Sequence, residues 1–248
     1  MNEVFLFIFG LILGSFLNVC IYRIPHNESI LFPPSHCPFC GTHIKWFDNI
    51  PLLSYIILKG KCRNCNIHIP IRYPVVEFLS AIVLILLYEK FSFSFLLLKY
   101  TIFSYALFVI SFIDVEYLIV PDKIVLPLIV LGILFSLPHH ILEAVIGATG
   151  GFILFVFIAF IGRISFKKEA LGGGDIKLIT ACGAFLGIQG VILTTFLSAL
   201  IGSVYGMYFI ISKKGKASSQ IPYAPFISIA AFFCIFYGRT IIRWYLNV

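Results

Sequence analysis

Asp175 follows three consecutive glycines, Gly172, Gly173 and Gly174, and precedes Ile176 and Lys177, in a chain that is otherwise mostly apolar. An ionisable group at or near bilayer depth is costly, so its presence points to function. Glycines beside it let backbone approach something closely. A second carboxylate, Asp114, closes the apolar run Phe93 to Ile113. A negative charge at a helix C-terminus opposes the macrodipole, which calls for a functional reason or a neutralising lysine. Two carboxylates held close together cannot both ionise easily, and they titrate as a pair sharing a proton. The ionised member can deprotonate a water that attacks a peptide carbonyl. The protonated member can donate to the developing oxyanion and then to the leaving amine. Such chemistry needs no metal.

Each acid also has a plainer reading. Asp175 could cap the helix that runs on from Ile176, but capping leaves three glycines unexplained. Asp122, behind Pro121 and ahead of an apolar run, fits the capping role with nothing left over. Glu116, two residues past Asp114, is either solvated at the interface or a rival for the first acid. Lys177 either orients an acidic group of a substrate or rests among lipid headgroups.

A separate cluster of chemistry lies between Arg23 and Tyr73. Cys37-Pro-Phe-Cys40-Gly41 and Cys62-Arg-Asn-Cys65 form two C-x2-C pairs with 21 residues between them. Four thiolates on two tight turns can surround a zinc ion tetrahedrally, as a closed structural site. Disulfides are the alternative, disfavoured if this loop faces a reducing cytoplasm. His36, His43 and His68 lie close enough in sequence to compete as ligands. Cys20, Cys182 and Cys234 fall in apolar segments and read as small buried hydrophobes.

The elements that must position these groups follow from composition. The chain of 248 residues is 60% hydrophobic and 12% charged, with mean hydropathy +1.03. A soluble domain carries about twice that charge fraction, which makes this an all-α integral membrane protein. Apolar runs at 4–22, 75–88, 93–113, 124–137, 141–161, 176–189, 190–211 and 221–240 suggest a polytopic bundle of about eight transmembrane helices, with seven as the alternative. The first run has Glu3 ahead of it and Arg23 behind it, unlike a cleavable signal. The expected divisions are a first transmembrane helix (1–22), a small cytoplasmic zinc-binding domain built on the four cysteines (23–74) and a polytopic catalytic domain (75–248). The apolar stretch Ile50 to Leu58 is too short to span and is expected at the interface or packed on the small domain.

Threading from an outside N-terminus puts stretches 23–74, 114–123, 162–177 and 212–220 inside. Those stretches carry 14 of the 18 Lys and Arg, the bias expected of cytoplasmic loops. The formal net charge of +7 therefore serves membrane orientation rather than nucleic-acid binding. The same threading puts Asp114 and Asp175 on one side, near the cytoplasmic face, which was no input to the count.

At these residues the chain resembles the bacterial type IV prepilin peptidases, membrane aspartyl proteases of the GxGD kind. Five regions carry the resemblance in order: Gly14-Ser15-Phe16-Leu17-Asn18 with Tyr22-Arg23-Ile24-Pro25; Cys37 to Cys65 with Asn49-Ile50-Pro51-Leu52-Leu53-Ser54-Tyr55; Arg72-Tyr73-Pro74 with Glu77; Phe112-Ile113-Asp114 with Pro121-Asp122; and Gly172-Gly173-Gly174-Asp175-Ile176-Lys177. The resemblance implies cleavage of the short basic leader of type IV prepilins and pseudopilins after a glycine, at the cytoplasmic face of the inner membrane. It also implies N-methylation of the new N-terminus with S-adenosylmethionine. Carried over, the catalytic pair is Asp114 and Asp175, with Gly172, Gly174, Lys177 and Asp122 as the supporting motif. Cys37, Cys40, Cys62 and Cys65 are the zinc ligands, and Gly60 and Lys61 are candidates for methyl transfer. A transporter using intramembrane acids for ions or protons would also have glycine-interrupted helices, but it gives no reason for the cysteine loop. A zinc-dependent scaffold leaves Asp114 unexplained.

Overall fold

The computed structural model describes residues 2–166, 171–212 and 221–246. Its described residues form α1 (Asn2–Arg23), a 3-10 turn η1 (Trp46–Asn49), α2 (Leu53–Ile57), α3 (Arg72–Phe91), α4 (Phe95–Tyr117), α5 (Asp122–Leu134), α6 (Ile141–Phe166), α7 (Gly173–Ile211) and α8 (Ala224–Leu246). Among the described residues four helices are long and apolar enough to cross a membrane: Asn2–Arg23, Phe95–Tyr117, Ile141–Ser165 and Gly173–Ile211. A shorter apolar helix covers Ala224–Gly238. Lys167, Lys168, Lys213, Lys214 and Lys216, counted for the inside loops, lie outside the described residues.

The runs 176–189 and 190–211, expected as two helices, are two helical stretches of α7 joined across a kink at Gly187, where the backbone is not helical (φ 71°, ψ −179°). Glycine takes that backbone without a Cβ penalty, so the helix can bend there and resume. Helices α3, α4 and α8 also outrun their expected limits, because polar residues continue a helix as readily as apolar ones beyond the hydrophobic run.

The chain divides into two compact units, Met1–Thr101 and Ile102–Val248. In the first, α1 and α3 meet through small residues. A methyl group on Gly10 would lie 2.6 Å from the Ala81 Cα, and one on Gly14 would lie 2.7 Å from the Glu77 Cα. Glycines four residues apart thus let the two backbones touch. The Ser80 hydroxyl donates to the Gly10 carbonyl at 2.7 Å across that contact. The Asn18 amide donates to the Tyr73 carbonyl at 3.0 Å. Arg23 is buried, and its guanidinium donates to the carbonyls of Ser29 (2.9 Å) and Pro33 (2.7 Å), folding the following loop back onto the end of α1.

The second unit is built around α7. Gly147 of α6 faces the Gly183 carbonyl and Gly187, and Gly183 in turn faces the Gly147 carbonyl, so neither position has room for a Cβ. Gly132 of α5 is pressed against Ala184 and Phe185. The Phe185 ring stacks on Phe103 of α4, with centroids 4.4 Å apart. From α8, Cys234 accepts the hydroxyl of Thr194 at 3.4 Å. Hence α4, α5, α6 and α8 all lean on one helix, whose first turn carries Asp175.

Candidate functional site

Asp114 lies in the last turn of α4, with Leu118 (φ 55°) ending the helix behind it, and Asp175 is the third residue of α7. Both side chains are buried, at 5% and 8% exposure, whereas Glu116 lies on the exposed side of its turn. The objection that Asp114 opposes the dipole of its own helix is answered by a second helix. Its Oδ2 accepts the backbone N–H of Ala224, the first residue of α8, at 3.0 Å. The Tyr223 N–H also bonds to it. The carboxylate therefore sits at the positive end of α8, where a negative charge is favoured.

Asp175 caps its own helix in a way the sequence only half predicts. The helix starts at Gly173 rather than Ile176, Gly172 is the N-cap, and Asp175 is the N3 residue that reaches back. Its Oδ2 accepts the Gly172 N–H at 3.3 Å while its own N–H donates to the Gly172 carbonyl at 3.1 Å. The second carboxylate oxygen has no such duty. The start of α8 bonds Asp114, the Tyr223 hydroxyl beside it reaches Ser198 of α7, and Val120, six residues past Asp114, lies against Gly174 next to Asp175, so the ends of α4, α7 and α8 come together around the two acids.

The glycine run has a different reason at each position. A methyl on Gly174 would lie 2.6 Å from the Val120 Cβ; on Gly172 it would lie 3.2 Å from the Asp175 Oδ2; on Gly173 it would meet nothing within 4 Å. The segment between α4 and α5 thus lies directly on the first turn of α7. Beside it, Lys177 donates to the Asp122 Oδ1 at 2.7 Å. This corrects both simple readings of that pair. Asp122 is the first residue of α5 behind an N-cap Pro121 and makes no cap bond, so its carboxylate is free to reach Lys177. Lys177 answers to this protein partner rather than to headgroups alone.

In the small domain the Sγ atoms of Cys37, Cys40, Cys62 and Cys65 all lie within 4.8 Å of one another, and Cys37 and Cys65 are 3.8 Å apart. Sulfurs at the corners of a zinc tetrahedron with bonds of about 2.3 Å are separated by about 3.8 Å. The donor set therefore fits zinc. Two matching turns build it. The Gly41 N–H donates to the Cys37 carbonyl (2.9 Å) and the Asn66 N–H to the Cys62 carbonyl (3.0 Å), with Gly41 and Asn66 both at positive φ. Single antiparallel bridges, His36 with His43 and Lys61 with His68, close the two turns. Among the described residues the ligand cluster contains cysteines and no histidine. The Thr42 hydroxyl, 3.4 Å from the Cys40 sulfur, holds that thiol down to about 6. Asn64 donates to the same hydroxyl oxygen at 2.8 Å. Arg63 donates to both Asp48 oxygens, at 2.6 and 2.8 Å, and holds that carboxyl below its ordinary range.

Gly60 and Lys61 have structural duties in this domain. Gly60 turns at φ 67° with its Cα under the Tyr55 ring, where a methyl would lie 3.0 Å from the phenol oxygen. Its N–H donates to the Tyr55 carbonyl (2.9 Å) and its carbonyl accepts from Ile69 (2.8 Å). The space a side chain at Gly60 would occupy is taken by the Tyr55 ring.

Sequence reasoning missed Tyr223 and Ala224. Their N–H groups hold Asp114, and the Tyr223 hydroxyl lies 3.0 Å from the Ser198 hydroxyl on α7. The available signal was Pro222-Tyr223-Ala224-Pro225, two prolines framing a helix start.

Comparison with known proteins gives this arrangement a family. The bacterial peptidase A24 N-terminal domain matches residues 8–91, and the type IV leader peptidase family matches residues 101–207. A prepilin leader peptidase/N-methyltransferase of Aeromonas salmonicida (strain A449) is 33% identical over 269 residues, covering 97% of this chain and 92% of its own. Proteins of the same name from Pseudomonas aeruginosa (31% over 264 residues, 96% and 91% covered) and Bacillus subtilis strain 168 (33% over 246 residues, 98% and 97%) are similarly alike. No solved structure matches. With both domains matched in order and the likeness running nearly end to end, the chain belongs to the bacterial type IV leader peptidase family, peptidase A24.

Proposed function

We propose that this chain is a type IV prepilin leader peptidase and N-methyltransferase in which Asp114 and Asp175 perform the hydrolysis. The observation that carries the assignment of residues is the meeting of two buried carboxylates, one from the end of α4 and one from the start of α7, inside a chain of this family. One carboxylate takes a proton from a water, whose oxygen adds to the carbonyl carbon of the leader's last residue. The other, protonated, gives its proton to the oxyanion; the proton taken from water then passes to the departing nitrogen as the C–N bond breaks, and a hydroxyl of the tetrahedral intermediate returns its proton to the second carboxylate. The N–H groups of Tyr223 and Ala224 hold Asp114 in place while the pair exchanges protons. Burial of Asp114 and exposure of Glu116 favour the former as the first acid.

The substrates are prepilins or pseudopilins, each with a basic leader and an apolar helix. Such a substrate presents its scissile bond at the inner membrane interface. The excess of Lys and Arg in alternate loops supports an outside N-terminus, with the cysteine domain and both acids on the cytoplasmic side. The bend of α7 at Gly187 supports counting it as two crossings, for about eight transmembrane helices in all. Cys37, Cys40, Cys62 and Cys65 hold a structural zinc that fixes the domain between α1 and α3. S-adenosylmethionine supplies the methyl group for the amine released by cleavage, a reading that rests on family membership. The ion-transport alternative leaves the cysteine domain and the family match without a reason.

The test is cleavage of a purified prepilin by enzyme reconstituted in lipid. Asp114→Asn and Asp175→Asn should each abolish it while the protein keeps its zinc. Full cleavage by either single variant sinks the dyad.

A further inference from the structure

The small domain carries a surface that neither peptide cleavage nor metal binding uses. On α2, Leu53, Ile56 and Ile57 share one helical face (i, i+3, i+4) and are 57%, 69% and 69% exposed. The opposite side is inward: Ser54 is buried and donates to the Phe47 carbonyl at 2.9 Å, tying α2 to η1. Trp46, at the start of η1, is 80% exposed. Exposed apolar groups on one short amphipathic unit need a cover, and three observations select it.

The first is depth. The α2 N-cap, Leu52, donates its N–H to the Glu77 carboxylate at 2.9 Å. Glu77 is buried five residues into α3, about 7.5 Å along the helix from its start. At that level the Glu77 Cα already packs against Gly14 of α1. Hence α2 begins beside the packed α1–α3 pair, of which α1 is long and apolar enough to cross a membrane. The second is charge. Between α1 and α3 the chain has Lys45, Lys59, Lys61 and Arg63 against only Glu28 and Asp48, and Asp48 is already taken by Arg63. The third is continuity. The domain is joined at both ends to α1 and α3, whose outer faces are themselves exposed apolar surface.

From these we infer that η1 and α2 lie in the bilayer interface, with Trp46, Leu53, Ile56 and Ile57 below the headgroups and the flanking lysines against anionic phosphates. A monotopic anchor of this kind fixes the height of the cysteine domain above the membrane. The inference rests on the multi-pass reading of the chain but not on its peptidase chemistry, because its readout involves no cleavage.

The protein has two tryptophans, so Trp244→Phe leaves Trp46 as the single reporter in the full chain. Purified protein is reconstituted in vesicles of phosphatidylcholine and phosphatidylglycerol, with ordinary or dibrominated acyl chains. The expected result is loss of most Trp46 emission to the brominated lipid and little further quenching by acrylamide. The brominated-lipid effect should weaken as phosphatidylglycerol is withdrawn. Emission open to acrylamide and untouched by bromine would mean a solvent-facing surface and overturn the inference. Protection from both quenchers would mean a protein cover, such as a second copy, and would overturn it equally. An Ile56→Asp, Ile57→Asp variant that keeps its zinc should expose Trp46 to acrylamide; unchanged lipid quenching in that variant would also refute the docking.

Discussion

One methyl group at position 174 probes how the two acids are held together. Built on Gly174, it would lie 2.6 Å from the Val120 Cβ, 3.0 Å from its Cγ2 and 3.6 Å from its Cα. Carbon atoms in good contact sit about 3.5–4.0 Å apart, so Gly174→Ala must push the segment before α5 away from α7 by about 1 Å. The helix itself tolerates the change. Alanine is better than glycine in a helix by about 1 kcal/mol, against an overpacking cost of about 1–3 kcal/mol, so the protein still folds. Activity is the sensitive quantity, because a displacement of about 1 Å in a catalytic arrangement can cost about 100-fold in rate. In the prepilin cleavage assay Gly174→Ala should lose most of its kcat, whereas Gly173→Ala, whose methyl meets nothing, should stay close to wild type. The contact also dictates which second substitution helps. Val120→Ala keeps the offending Cβ and leaves Gly174→Ala impaired; Val120→Gly removes it and restores turnover. Unimpaired kcat in Gly174→Ala, or rescue by Val120→Ala as full as by Val120→Gly, would refute the reasoning.

The ion pair of Lys177 with Asp122 is partly exposed, at 40% and 56% of the two side chains, and such pairs contribute about 0–1 kcal/mol. Asp122→Asn should therefore keep measurable cleavage, and exchanging the two residues should recover what is lost; complete inactivity of Asp122→Asn would assign it a direct part in the chemistry. Metal analysis of the purified protein should find about one zinc per chain, and an active zinc-free preparation would overturn the structural metal. Thr42→Val removes the hydroxyl that favours the Cys40 thiolate. It should weaken zinc retention against a chelator about 10-fold, at the lower end of what outer partners of metal ligands contribute. Retention equal to wild type would show that the hydroxyl does not tune the sulfur.

The candidate site was legible where its signals were local. Four cysteines on two knuckles, an acid behind glycines and an acid closing an apolar run can each be read from neighbours in the chain. Counting basic residues gave an expectation for the side on which the acids lie. What could not be read depended on partners far away in sequence. Asp114 looked electrostatically misplaced because its compensating helix end arrives 110 residues later. The need for glycine at 174 is set by Val120, which leaves no mark nearby. Asp122 met every local criterion for a cap and is none, since the proline ahead of it occupies the cap position. Its partner, Lys177, lies 55 residues away.

The bond from the Ala224 N–H to Asp114 also has a consequence for biosynthesis. Both acids are translated well before the segment that steadies the first of them. A ribosome that has made α4 and α7 has supplied both of the aspartates proposed to catalyse hydrolysis, but the first of them still lacks its backbone donor from α8. On the proposed chemistry, competence waits for α8, whose first residue donates to Asp114. The nascent peptidase is thus unarmed while its own membrane segments thread past the translocon, and a chain ended after Ser212 should be inserted yet fail to cleave until residues 221–248 are supplied from a second gene.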